Sequence, residues 1–163
     1  MKPVPSTFGP RGMMMIEALM AILIFSLGIL GMVGVNALAV ASQSDAQYRT
    51  NANKFATEII NQIWVNVDRS SEAATALALG AFQHQPGGAA CAFAGNPSTA
   101  PLITNWVAAV MASGTGLPGA TAAMQQIKVV NTVAGMNEVT VTVCWKAPGD
   151  AVARRHVMKS LIN

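Results

Sequence analysis

Residues 13–41 read MMMIEALMAILIFSLGILGMVGVNALAVA, and this stretch decides the architecture. From residue 18 to residue 41 there is no charge, and Ser26, Asn36 and the glycines Gly28, Gly31 and Gly34 are the interruptions of the apolar run. A helix of about 20 such residues crosses a bilayer core, so the composition predicts one membrane-spanning helix. No second stretch is long and apolar enough to cross. At the edge of the run stands Glu17, with Met13, Met14, Met15 and Ile16 before it and Ala18 after it. A carboxylate inside hydrocarbon costs several kcal/mol unless it is paired or protonated. Charge and spacing leave two readings of it open. It is a functional group awaiting a partner, or it is a Glu at the interface or in the first turn of a helix, where the dipole favours an acid.

Working outward, the residues before the run carry Lys2 and Arg11 and no acid. Three readings of residues 1–45 compete. A secretory signal would end at Ala37-Leu38-Ala39 or Ala39-Val40-Ala41, both of which satisfy the small-residue rule. Its apolar region normally holds about 7–15 residues, fewer than the 24 found here, and cleavage there would leave a plain secreted binding domain. A single-pass anchor fits the length. The positive residues ahead of it put the N-terminus in the cytoplasm and the C-terminal part across the membrane, but that reading leaves Glu17 unexplained.

The third reading rests on Arg11-Gly12 followed by Met13-Met14-Met15-Ile16-Glu17-Ala18-Leu19 and the uninterrupted apolar run. This pattern resembles the class III leader of type IV prepilins, over residues 1 to about 65. The resemblance implies a basic leader, residues 1–12, cut by a prepilin peptidase on the C-terminal side of Gly12. It also implies methylation of the new amine on Met13, and a role for Glu17, fifth in the mature chain, as an assembly determinant rather than a catalyst. Met13 stands where the family usually has Phe, and Gly34 stands at mature position 22, where major pilins commonly carry Pro. Both departures favour a minor subunit over a major one.

The chemistry of that reading is intelligible from the residues. Cleavage creates a cationic α-amine on Met13, four residues from the Glu17 carboxylate, and an unpaired charge in or near hydrocarbon is costly. When helices stack side by side, the carboxylate of one subunit meets the amine of its neighbour. The pair then fixes axial register, as a buried polar group does in a coiled coil. Gly28, Gly31 and Gly34 form a small-residue row that permits close helix approach or local melting, or is ordinary glycine usage in a membrane helix.

Beyond residue 41 the pattern turns amphipathic. Ala52, Phe55, Ala56, Ile59, Ile60, Ile63, Trp64 and Val67 recur at three- and four-residue steps, a helical face, while Arg49, Lys54, Glu58 and Asn61 fall elsewhere. No proline lies between Gly12 and His84. The pattern predicts one helix over residues 15–68, about 80 Å long. Residues 70–95, with Pro86-Gly87-Gly88, read as loop with a short helix over 72–81. Residues 98–112 read as a helix with Leu102, Ile103, Trp106, Val107, Val110 and Met111 on one face, capped by Ser98 or Thr99 and ended by the glycines of 114–119.

The last third switches to period two. Residues 124–133 and 138–145 read as strands joined by a turn at 135–137, and Val139, Val141, Val143 and Trp145 alternate with Thr140, Thr142 and Cys144. Pro148-Gly149-Asp150 marks a turn, and residues 153–162 make a third strand. Short connections make the set antiparallel, with one face covering the helix near Ile59 and Trp64. The ordering is similar to the type IV pilus modification protein PilV family, on Cys91, the helix holding Trp106, Leu117-Pro118-Gly119, and the Val141-Thr142-Val143-Cys144-Trp145 strand followed by a last strand. The expected fold is therefore α+β, a pilin-like ladle. Its long N-terminal helix, membrane half and amphipathic half, packs against an antiparallel sheet of three or four strands. The parts are a leader at 1–12, an assembly helix at 13–41, its amphipathic continuation at 42–68 and an exported domain at 69–163.

The pI near 9.2 invites a nucleic-acid reading, and the charge map argues against it. Without Lys2 and Arg11, eight basic side chains face seven acidic ones, and no basic stripe of the kind that neutralises phosphates is present. Cys91 and Cys144 would pair in an oxidising compartment, closing a loop of about 50 residues worth roughly 4 kcal/mol; two buried thiols are the alternative. No nucleophile elbow, phosphate loop, dinucleotide fingerprint or zinc motif occurs, which excludes the familiar enzyme classes. The remaining carboxylates read as solvated charges. Arg154-Arg155-His156 is the one candidate surface contact: on a strand Arg154 and His156 share a face opposite Arg155, and the alternative is charge protecting an edge strand.

The expected function is that of a minor pilin with no cofactor, metal or small-molecule substrate. Its expected partners are the prepilin peptidase, the inner membrane of a bacterium before assembly, and other pilin subunits through the helix. The C-terminal domain then stands in the periplasm and later on the pilus at the cell surface. A pseudopilin of a type II secretion machine shares the same N-terminal logic. A membrane-tethered enzyme is the third alternative.

Overall fold

A computed structural model describes residues 13–131 and 136–163. Contacts divide the chain into two units, one ending at Asp45 and one formed by Ala46–Asn163. One helix, α1 (Met13–Asn66), contributes to both. It is the one described helix long and apolar enough to cross a membrane.

In the first unit every described side chain from Met14 to Gln43 is exposed. The polar groups of this stretch are partly satisfied within the helix, as a span in lipid requires. Ser26 Oγ donates to the Ile22 carbonyl at 2.7 Å and Ser44 Oγ to the Val40 carbonyl at 3.1 Å. The helix runs unbroken through Gly28, Gly31 and Gly34, so no local melting accompanies that row.

In the second unit α1 is the spine of the core. Ala52, Ala56, Ile59 and Ile63 are fully buried at the expected helical spacing. The helix ends at Asn66 rather than at 68. Val67 N–H still reaches the Ile63 carbonyl, and the Asp68 carboxylate then accepts from Ser70 N–H at 2.8 Å, which turns the chain. Helix α2 (Glu72–Phe82) follows, its first turn capped by Ser71, whose Oγ accepts from Ala74 N–H at 3.1 Å.

The segment 83–95 is more than loop. It holds a two-stranded antiparallel ribbon, β1 (Gly87–Ala89) and β2 (Ala92–Ala94), which the glycines had masked because they carry no period-two pattern. Helix α3 (Pro101–Met111) starts later than expected: its cap is Ala100, Pro101 opens the first turn, and neither Ser98 nor Thr99 caps it. Ser98 Oγ instead donates to the Ala81 carbonyl at 2.7 Å and accepts from Ala100 N–H. Ile103, Trp106, Val107 and Val110 are buried, whereas Leu102 is half-buried and Met111 lies at the exposed margin. Gly116 makes the bend after α3 possible, because a Cβ there would run into the Val110 carbonyl and the Ala112 backbone. Gly119, at φ +60°, lies equally close to the Lys146 carbonyl.

A three-stranded antiparallel sheet closes the unit: β3 (Gln125–Asn131), β4 (Asn137–Trp145) and β5 (Arg154–Ile162), in the order β3-β4-β5. The expected turn at 135–137 is corrected at one end, since Asn137 already belongs to β4; Gly135 lies outside the described residues. Val139, Val141, Val143 and Trp145 face the core with α1 and α3. Thr142 and Cys144, which alternation puts on the outer face, are nevertheless buried. The ribbon is tied over that end of the sheet, through a disulfide from Cys91 to Cys144 and through Gln126 Nε2, which donates to the Gln85 carbonyl at 3.0 Å.

Candidate functional site

Of the residues singled out by sequence, Gly12 lies outside the described residues, and Met13 opens α1. Glu17 stands one full turn inside the helix, so the first-turn reading of this acid does not hold. Positions 13 and 17 are four apart and therefore neighbours on one face. Glu17 is exposed, as are Leu19, Met20, Leu23 and Phe25 around it. A Cβ built on Gly28, Gly31 or Gly34 meets nothing within 4 Å, so no contact within the described chain calls for glycine there. This segment is an apolar helical surface carrying one carboxylate and a row of small residues. Its chemistry is association with lipid or with other helices.

The C-terminal candidates separate. Arg154 is held in a bidentate pair, its Nε at 2.9 Å from Asp150 Oδ2 and its Nη2 at 2.8 Å from Asp150 Oδ1. Asp150 Oδ2 also accepts from Ala147 N–H at 3.2 Å, so the pair locks the turn before β5. The guanidinium holds the Asp150 carboxyl below its ordinary value. Lys159 does the same for Glu138, with Nζ at 2.8 Å from Oε1. Asp150 and Glu138 are thus partners in ion pairs rather than isolated solvated charges. Arg155 points the other way from Arg154 and His156 and is exposed, as the strand pattern predicts. With Arg49, Thr50, Asn53, Trp145 and His156 it lines a shallow hollow of about 340 Å³.

Two polar residues that sequence reasoning passed over hold the fold at its joints. His84 is buried just beyond α2, where its backbone bridges to β3. Its backbone pairs with Ile127, N–H to carbonyl in both directions at 3.0 and 2.9 Å, and its Nδ1 accepts from Ser98 N–H at 3.3 Å. Burial pushes its imidazole pKa below the usual value, partly offset by the Ala122 carbonyl. Gln125 is fully buried at the start of β3. Its signal in the sequence was a lone amide at an inward position of the row Gln125, Ile127, Val129.

Cys91 and Cys144 are joined, with Cα atoms 5.6 Å apart, so the alternative of two free thiols does not hold. Among the described residues no three of His, Cys, Asp and Glu come together as a metal site. Comparison of the chain with protein-family models, with curated proteins and with solved structures finds no match.

Proposed function

We propose that the chain is a minor subunit of a type IV pilus-like filament, made as a precursor, cut after Gly12 and held in a bacterial inner membrane by the first part of α1 until assembly. One observation carries this reading: Glu17 stands four residues after Met13, ahead of the charge-free stretch 18–41 of one long helix whose later turns enter the core of an α+β domain. The exposed face of residues 14–43 supplies the surface that neighbouring subunits cover, and the Met13 amine supplies the partner for a neighbour's Glu17. The role is one of assembly and contact rather than catalysis. The domain around the sheet lies outside the cytoplasm, where Cys91 and Cys144 oxidise, and reaches the cell surface with the filament.

The deciding experiment is mass spectrometry of the mature N-terminus, on protein from native membranes and from sheared surface filaments. The expected terminus is N-methylated Met13, and it disappears in a host lacking prepilin peptidase. A terminus near Ser42, or an intact leader, overturns the proposal. Loss of enzyme secretion in a deletion strain that still makes pili moves the subunit to a type II secretion machine.

A further inference from the structure

The sheet of this protein has two edges, and they differ. On β3, both backbone groups of Ile127 are bonded to His84 rather than to β4. The N–H and C=O groups of a strand residue point to the same side, and successive residues alternate. Gln126, Lys128 and Val130 therefore face β4 and bond Thr142, Thr140 and Glu138, their register partners. The odd-numbered residues of β4 are left to bond β5, through the pairs Val143–His156, Val141–Met158 and Val139–Ser160. It follows that Arg155, Val157, Lys159 and Leu161 turn their backbone groups away from the sheet. None of those groups has a partner among the described residues. One edge is thus engaged at Ile127 by His84, while the other presents four residues of unpaired backbone in a row, a template for an added strand.

The surroundings of that edge say what fits it. Helix α1 runs alongside β5 in the same direction. Thr57 Oγ1 lies 3.8 Å from Met158 Sδ, Trp64 Nε1 donates to Ser160 Oγ at 2.9 Å, and Arg69, just beyond the helix, donates to the Asn163 carbonyl. The hollow lined by Arg49, Asn53, Arg155 and His156 opens where β5 begins. On the outer face of β5, Arg155 and Lys159 alternate with Val157 and Leu161, which are 45% and 50% exposed; Lys159 already lies 2.8 Å from Glu138 Oε1 of β4, so Arg155 carries most of the charge preference. A row that alternates cation and apolar group complements a strand that alternates acid and apolar group. A second copy is a poor occupant: two β5 edges paired together would set Arg155 and Lys159 of each against those of the other, and facing like charges destabilise a strand pair.

We infer that the edge of β5 is a docking site for an extended acidic segment of a different polypeptide, which adds to the sheet as a fourth strand beside α1. This goes beyond the filament reading and does not depend on how residue 12 is processed.

The test uses the full chain in detergent and two synthetic peptides, one with Glu at every fourth residue, so that Glu and Val alternate along one face with Thr on the other, and one with Lys in place of Glu. Backbone amide hydrogen exchange reads the result. The acidic peptide should slow exchange at Val157 and Lys159 by about tenfold or more, because these N–H groups become paired, and the basic peptide should leave them unchanged. Val157→Pro removes an N–H that the sheet does not use, as edge positions tolerate; it should keep the disulfide and the melting temperature and abolish the protection at Lys159. Arg155→Glu should transfer the preference to the basic peptide. No added protection with saturating acidic peptide overturns the inference, and so does undiminished binding by Val157→Pro. Protection that appears without peptide as protein concentration rises assigns the edge to a second copy and overturns it equally.

Discussion

The side chain of Gln125 bonds both backbone groups of Cys144: its Nε2 donates to the Cys144 carbonyl at 3.0 Å and its Oε1 accepts from the Cys144 N–H at 3.3 Å. Strand β3 begins at Gln125, preceded by the 3-10 turn Ala122–Met124, and so offers Cys144 no backbone partner. The amide extends the ladder by one residue, and its second N–H is taken by the Thr121 carbonyl at 3.1 Å. Replacing Gln125 with Met keeps the volume and leaves the buried groups of Cys144 unpaired. The expected loss is about 2–4 kcal/mol of unfolding free energy, since each orphaned buried group costs about 1–3. Urea unfolding of the wild type and the variant measures it. An unchanged midpoint would show that the ladder ends without help.

Reduction of the Cys91–Cys144 bond should release the ribbon 87–94 from the outer face of the sheet. By chain-entropy reasoning a bridge with a sequence separation of 53 contributes about 4 kcal/mol. Melting with and without reductant reads the difference, and Cys91→Ser should match the reduced wild type. Equal melting in all three would mean that the remaining contacts, Gln126 among them, suffice.

Stability should fall as the pH drops from about 6.5, and His84 is the cause. Its folded pKa is depressed by burial, so the unfolded chain, near the ordinary value of 6.5, binds the proton first. Protonation also removes the lone pair with which Nδ1 accepts from Ser98. The stability is intact above the unfolded value and is lost as pH falls through the folded one. Asp68, Glu138 and Asp150, whose pKa values are lowered as well, act in a more acidic window, from about 4 downward. Unfolding free energies measured between pH 5 and pH 8 should therefore slope in wild type and be flat in His84→Gln. A slope that survives the substitution would assign the proton to another group.

Glu17→Gln should leave the helix in the membrane and the Cys91–Cys144 domain folded, while removing the subunit from filaments. Glu17 is exposed on the first unit, and the Cys91–Cys144 core is built from residues of the second, so its loss is expected to move assembly and not melting. Quantitative immunoblots of membranes and of sheared filaments give the two readouts. Unchanged incorporation would sink the register role proposed for this residue.

Some of this molecule was legible before any coordinates. Residues 18–41 admit one conformation in lipid, because a helix alone satisfies its own backbone there. Ala52, Ala56, Ile59 and Ile63 repeat at helical spacing and are all buried; Val139, Val141 and Val143 repeat at strand spacing and likewise meet the core. Periodicity reports such features because it records which face of an element must leave water. It also misplaced residues at margins: Trp64 and Met111 lie on predicted apolar faces yet are 38% and 40% exposed. Residues 1–12, Gly12 among them, lie outside the described residues, and their reading as a leader rests on sequence.

What tertiary structure alone decided concerns partners. Period two assigned Thr142 and Cys144 to a solvent face, yet both are buried, and Cys144 is bonded to Cys91 in the ribbon of residues 87–94. Strand alternation puts Arg154 and Arg155 on opposite faces without saying what either meets; one is spent on Asp150 and the other stands at an open edge. A side chain's polarity and spacing determine where it can go. Which donor meets which acceptor depends on segments that are distant in sequence, as His84 with Ile127 and Gln125 with Cys144 illustrate, and only the folded chain brings those together.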